Sequence, residues 1–355
     1  MLPRSPVSLG LASLSVLASS ALFSLLSSFL ASPDGAVLKN QLLAVSSTVS
    51  NWARYTLLKR SPPARRIPPG AETCVQIVSP GGVETLQIVP LPPNTTAVGY
   101  NVVRGTPFLA RSAPPAAPCV TVAVTHFALN FADVCVRLGL YESAIRYVGY
   151  PIVPGFDVAG TILKAPAGSG FSEGERVYGA TLFGGYSSLL SVPANQIRRV
   201  PPSLSLREAA SLPAVSFTAL HALTIGGFPA RGKYEHLAQC GRLVVYGFHS
   251  NMPVGRAALS PLSWIKMAVD MFRMPTVDYM GLTLDSRAVL GFNLSFFEEE
   301  TELIGSYFES IDGWIREGKI AMPKTELFGM GEVGKAHERL QSGASEGKMV
   351  IEVGR

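Results

Sequence analysis

Charge is scarce in this chain: only 15% of its 355 residues are Asp, Glu, Lys or Arg, against 47% apolar ones. The net charge is +5, and it is set by the first 66 residues, where Arg4, Lys39, Arg54, Lys59, Arg60, Arg65 and Arg66 face Asp34 alone. That segment carries +6 and the remainder −1, so the folded part offers no basic surface for nucleic acid. Cysteine is also scarce. Cys74, Cys119, Cys135 and Cys240 stand far apart with no C-x-x-C pair, which argues against a zinc site or a redox dithiol and for scattered free thiols. The length is enough for roughly two domains and a core that needs no disulfide staples.

The uncharged run from Ser5 to Ser32 is long enough to cross a bilayer, for which about 20 residues suffice, although serines dilute it. It reads as a signal peptide, an uncleaved signal anchor or the front of an organelle presequence. The basic stretch up to Arg66 suits either a transit peptide or a juxtamembrane linker. SPPARRIPPG, residues 61 to 70, is a Pro-rich linker that marks a domain boundary. Strands are expected at Thr73–Val78, Thr85–Val89 and Cys119–Thr125, with a Pro-, Asn- and Thr-rich surface insertion from Leu91 to Pro118. Ser205 and Glu208, three apart before an apolar run, form a capping-box helix start. Asn94-Thr95-Thr96 and Asn293-Leu294-Ser295 match the glycosylation triplet, a pattern frequent by chance.

The stretch from Asn130 to Gly160, NFADVCVRLGLYESAIRYVGYPIVPGFDVAG, organises the rest. A short helix carries Asp133 and Arg137, whose spacing predicts a helix-surface ion pair, and Gly155 and Gly160 are expected to bracket a strand. With SEGERVYG, SFTALHAL, GRLVVYG and GKMVIEV following in order, this stretch resembles the medium-chain dehydrogenase/reductase superfamily. Within it the likeness is to the zinc-free quinone-oxidoreductase branch, and VLGFNLSFF (Val289 to Phe297) resembles the vesicle-membrane amine-transport-protein group. The resemblance implies an α/β protein: a GroES-like β-barrel domain followed by a truncated Rossmann-like domain. Residues 1–33 are then a hydrophobic signal or anchor, 34–70 a basic Pro-rich linker, 71–215 the GroES-like catalytic domain and 216–299 the Rossmann remnant. Residues 300–355 return to the first domain.

Zinc-dependent relatives place a histidine where this chain has Phe156, in Gly155-Phe156-Asp157, and a cysteine near Asn130. The resemblance therefore implies metal-free hydride transfer from NADPH to a quinone or an α,β-unsaturated carbonyl compound. By the same resemblance, Asn130 and Tyr141 are the catalytic, cleft-lining residues. Asn130, Thr218, Gly291, Phe292, Asn293 and Lys348 are the cofactor contacts, with Gly291 to Asn293 offering backbone groups. From the residues alone, Asn130 could equally cap its helix, Tyr141 could be an interface aromatic, and Lys348 a strand-end charge. His126, His221 and His236 match no family motif that uses histidine and read as structural.

After Lys233 the family pattern calls for a strand and a glycine-rich turn, A-x-G-G-V-G, that holds the cofactor pyrophosphate. This chain passes directly to YEHLAQCGRLVVYG, and no dinucleotide-binding glycine motif is expected anywhere in it. A six-stranded doubly wound sheet needs on the order of 130 residues, more than lie between Ser216 and Glu299. NADPH binding is accordingly doubtful for the chain as it stands, through either a gene model or splice form lacking internal coding sequence or a degenerate relative. Pro261 to Met274 is expected to form a helix with Ile265, Ala268, Val269 and Phe272 on one packing stripe. A homodimer and a membrane are the partners that fit, and a membrane-associated location with organelle import as the alternative. The rival reading is a catalytically silent, membrane-associated interaction protein.

Overall fold

The computed structural model describes residues 67–91, 118–226, 240–247, 260–272, 277–297 and 300–354. The apolar run at the N-terminus, the insertion with its Asn94 triplet, His236 and the Lys233-Tyr234 junction lie outside the described residues. Among the described residues, no helix is long and apolar enough to cross a membrane.

Two short strands, β1 (Thr73–Ile77) and β2 (Leu86–Pro90), pair antiparallel. The spine of the molecule is β3 (Cys119–Ala128), whose Val120, Val122 and Val124 point into the core at the two-residue period of a strand. One of its edges pairs with β4 (Asp157–Lys164). Its other edge is shared: β6 (Leu189–Pro193) takes Cys119–Ala123, and the C-terminal β11 (Lys348–Glu352) takes His126–Ala128. β5 (Arg176–Ala180) and β7 (Ile197–Arg199) extend the sheet beyond β4, and β10 (Thr325–Gly329) lies parallel to β11 at the far end. The C-terminal segment from β10 to β11 is thus built into the first domain's barrel, with Phe127, Ile152, Ile197 and Ile351 in its interior.

Gly160 does not end a strand, contrary to expectation: it lies inside β4, where a Cβ would come within 2.0 Å of the Ala123 carbonyl oxygen. The close approach accompanies a register shift in β3 between Val124 and His126. Gly155 does make the turn before β4, at φ +104°.

Helix α1 (Phe131–Arg137) follows β3 directly. The surface ion pair expected between Asp133 and Arg137 is absent because both side chains are buried. Arg137 donates to the Gly81 carbonyl at 2.6 Å and to Gln341 at 2.7 Å, on the loop and helix that cover α1. Helix α2 (Leu206–Ala210) starts with the expected reciprocal cap, in which Ser205 N–H donates to Glu208 at 2.9 Å and Glu208 N–H to Ser205 Oγ at 3.2 Å. Helix α3 (Pro213–Gly226) then leaves the barrel.

Beyond it, two strands and two helices of the Rossmann-like part lie among the described residues. Strand β8 (Arg242–Val245) pairs parallel with β9 (Ala288–Gly291), and no residue of either is fully buried. Between them in sequence are α4 (Pro261–Phe272) and α5 (Tyr279–Asp285). Of the packing stripe expected on α4, Ile265 and Val269 are exposed, as are Leu262 on the same helix and Met280 and Leu284 on α5. Helix α6 (Thr301–Arg316) ends before Gly318 at φ +68° and seals the outside of the barrel with Tyr307, Phe308 and Ile311 against Tyr178, Leu212 and Phe217. Helix α7 (Val333–Gln341) packs Val333 and Ala336 into the barrel core.

Candidate functional site

Two groups of side chains meet at the mouth of the barrel, where β3, β4 and β11 approach the start of α3. The first centres on Asp157, the opening residue of β4, which is fully buried. One carboxylate oxygen accepts the backbone N–H of Ala214, in the first turn of α3, at 2.7 Å. The other accepts Asn130 Nδ2 at 2.8 Å and lies 3.1 Å from Lys348 Nζ, and Lys348 also donates to Asn130 Oδ1. A buried carboxylate is tolerated because both its oxygens are answered: an ammonium, an amide and a helix N-terminus converge on it. Asn130 stands at the N-cap of α1, but its carboxamide serves this cluster. Lys348, at the start of β11, is buried within it.

The second group centres on Tyr141. Its hydroxyl lies 2.5 Å from Ser295 Oγ and 3.4 Å from Asn293 Oδ1, and its ring stands edge-on to Phe156 at 5.9 Å and Phe183 at 6.3 Å. Burial pushes the phenol up to about 12, so at neutral pH it is protonated and able to donate a hydrogen bond. Between the groups sits Asp133, which accepts from the backbone N–H of Asn130 at 2.8 Å and of Gly155 at 2.9 Å. Burial first, and then the neighbouring Asp157, raise its carboxyl to about 7, while Lys348 and the two N–H donors oppose the rise.

The remaining expected contacts fare differently. The Thr218 hydroxyl bonds back to the Ala214 carbonyl at 2.7 Å within its own helix. Gly291 ends β9 and Phe292 follows, its N–H donating to the Val245 carbonyl at 3.2 Å. Asn293 is exposed and its carboxamide oxygen accepts the Ser295 N–H at 3.0 Å, closing a tight turn. His126 bonds Thr125 at 3.1 Å and His221 bonds Tyr307 at 2.6 Å, both structural contacts. Asp157, Asp133, Phe183 and Ser295 were not singled out as site residues from sequence. Asp157 had a signal, a lone acid between Phe156 and Val158 at the start of an apolar strand. Ser295 and Phe183 arrive from distant segments, and nothing local marks them.

Phe156, which the resemblance sets in the place of a metal-binding histidine, is packed against the rings of Tyr141 and Phe183. Among the described residues, no group of three His, Cys, Asp or Glu side chains could hold a metal ion. A G-x-G-x-x-G string does occur, contrary to expectation, at Gly329 to Gly334 between β10 and α7. It does not suit a pyrophosphate: Glu332 sits inside the turn, and its carboxylate already accepts the Gly329 N–H at 3.3 Å.

A barrel of this topology, joined through a linking helix to a parallel-stranded unit and carrying a polar cluster at their junction, defines an alcohol-dehydrogenase-like oxidoreductase fold. The profile of the alcohol dehydrogenase GroES-like domain matches residues 117–202, and that of the zinc-binding dehydrogenase matches residues 220–351. The chain belongs to the medium-chain dehydrogenase/reductase superfamily. It is 37% identical over 117 residues to the highly reducing polyketide synthase azaB of Aspergillus niger, covering 32% of this chain and 4% of that protein. It is 33% identical over 119 residues to the 2-methylene-furan-3-one reductase of Solanum lycopersicum, covering 31% of this chain and 30% of the reductase. It is 27% identical over 127 residues to the synaptic vesicle membrane protein VAT-1 homolog of Danio rerio, covering 36% of this chain and 25% of that protein. The chain thus spans less than a third of each of these relatives. The human VAT-1 homolog-like protein has the same fold, with a TM-score of 0.55 at 18% identity over 81% of this chain and 99% of that one. A mycobacterial protein solved with NADPH also shares the fold, with a TM-score of 0.53 at 15% identity over 80% of this chain and 100% of that one.

Proposed function

We propose that this chain carries the substrate-facing half of a metal-free reductase cleft for quinones or α,β-unsaturated carbonyl compounds, and that its own grip on NADPH is impaired. The observation that carries the reading is the protonated Tyr141 hydroxyl, held by Ser295 and Asn293 against Phe156. In such a cleft Tyr141 donates to the carbonyl oxygen where negative charge develops on reduction, and Phe156 and Phe183 exclude water. Asn130, fixed by Lys348 and Asp157, presents its remaining amide valences to the nicotinamide end. NADPH, when bound, supplies the hydride. Support comes from the reductase and NADPH-bound relatives and from the absence of a phosphate cradle among the described residues.

Thermal shift of the full chain tests both halves. Small quinones and enones should stabilise it saturably, by about 2.7 kcal/mol at 100 times Kd, and Tyr141→Phe should weaken that shift. NADPH should give none. No shift across a panel of quinones and enones would overturn the substrate reading, and a saturable NADPH shift would overturn the impairment.

A second reading, a catalytically silent protein attached to a membrane, draws on the two-stranded unit with its exposed Leu262, Ile265, Met280 and Leu284. It draws also on the apolar run from Ser5 to Ser32, which directs the chain to a secretory or vesicle membrane or, as the alternative, to a mitochondrion. Vesicle flotation of the full chain that is lost on deleting residues 1–33, without any quinone or enone shift, would favour it.

A further inference from the structure

The segment that grips Tyr141 has little sheet to rest on. Ser295 and Asn293 follow β9, one of only two described strands in the second unit, and neither strand has a fully buried residue. In an intact doubly wound sheet a strand end is fixed by neighbours on both sides and by helices on both faces. Here another support is visible.

His221 lies on α3, two turns beyond the Ala214 N–H that binds Asp157, and its side chain is buried. Phe292 and Phe297 bracket the gripping residues, and both stand edge-on to the His221 ring, with centroids at 4.5 Å and 4.8 Å and interplanar angles of 70° and 81°. Tyr307 of α6 closes the third side, with its hydroxyl 2.6 Å from His221 Nδ1. Tyr246, at the end of β8, stacks on Phe292 from beyond at 5.7 Å. The imidazole is therefore a wedge between the two ends of the loop, and the shared hydrogen bond with Tyr307 sets the plane of the ring.

We propose that His221 is a positioning residue: its ring holds the segment from Phe292 to Phe297, and through Ser295 and Asn293 that segment holds the Tyr141 hydroxyl. The relevance of this to reduction rests on the cleft reading above; the mechanical link does not. Edge-to-face ring contacts are worth enough that losing two of them opens such a loop roughly tenfold more often. Helix α3 thus reaches both halves of the site, touching Asp157 through Ala214 N–H and Tyr141 through His221 and the loop.

Nitration by tetranitromethane, mapped by peptide mass spectrometry on the full chain, reads this without any need for turnover. In the unsubstituted protein Tyr141 should react far more slowly than Tyr279, which is 81% exposed. His221→Ala should raise Tyr141 nitration roughly tenfold while Tyr186, buried inside the barrel, stays protected. His221→Phe keeps the ring and should restore protection. If His221→Ala does not yield folded protein, His221→Leu is read by the same criteria. Unchanged Tyr141 reactivity would overturn the proposal, as would a rise in step with Tyr186 or a His221→Phe variant as reactive as the alanine one. Failure of the reductase reading would show separately, as the missing thermal shift with quinones and enones.

Discussion

The barrel and the Rossmann-like unit are made from the same chain with opposite economy of contacts. In the barrel β3 is paired on both edges, one of them shared by two strands 150 residues apart in sequence, and its apolar side chains are buried. In the second unit two parallel strands pair only with each other among the described residues, and the helices between them expose leucine, isoleucine and methionine. A parallel sheet is stable when both faces and both edges are covered, so a two-stranded piece gains little from burial. The barrel is the part that can fold on its own apolar surface. The second unit relies on what it shares with the barrel, through α3, α6 and the aromatic contacts of His221.

Substitutions in the two regions should separate this contrast. The largest effect is expected at Lys348→Met, which leaves Asp157 buried without its counter-charge; a loss of about 3–5 kcal/mol in the denaturant midpoint analysis is expected. A loss under about 1 kcal/mol would mean that Ala214 N–H and Asn130 suffice. Phe127→Ala in the barrel core should be nearly as severe, about 3–5 kcal/mol, because the ring is stacked on Tyr186 at 4.3 Å. By contrast Leu284→Ala on α5 should move stability by no more than about 0.5 kcal/mol, since that side chain is exposed. Equal losses at Phe127 and Leu284 would erase the distinction between the two regions.

A smaller effect sharpens the barrel side. The folded-state carboxyl of Asp133 is raised to about 7 from 3.8, so the native protein binds a proton that the unfolded chain releases. Its stabilisation is present in full below about pH 3.8 and is lost as pH rises through about 7. Asp133→Asn should therefore reduce the decline in stability between pH 5 and pH 8, read from denaturant midpoints at each pH. An unaltered pH profile would show that another group governs it. Asp157 pushes the Asp133 carboxyl up and Lys348 pushes it down, so the substitution is best read beside Lys348→Met.

Much of the barrel was legible because its signals are local. The Ser205–Glu208 cap and the strand at Cys119 each need only a few neighbouring residues to be recognised, and the return of GKMVIEV to the first domain followed from the family resemblance. Asn130, Tyr141 and Lys348 were readable from matched motifs, and they do come to the junction of the two units. The errors share one cause. Asp133 and Arg137 have the spacing of a surface pair, yet α1 is covered by the Gly81 loop and by Gln341, which lies 204 positions from Arg137. Gly160 carries a turn residue's identity, but it answers a carbonyl from the neighbouring strand. The α4 stripe has the period of a packed helix, yet its Ile265 and Val269 are exposed.

By itself the sequence determined the order of elements and the absence of a glycine-rich motif directly after Lys233, which are properties of residue type and spacing that chain order preserves. The family, and with it the reading of Phe156 in the place of a metal ligand, came from resemblance of motifs. Only the tertiary structure decided what Asn130 and Lys348 bond to, that Asp157 and Asp133 are buried beneath them, and that Ser295, Phe183 and His221 belong to the same site. Burial and hydrogen-bond partners depend on which distant surfaces meet, and α1, β4, α3 and β11 meet at the mouth of the barrel from positions more than 200 residues apart in the chain.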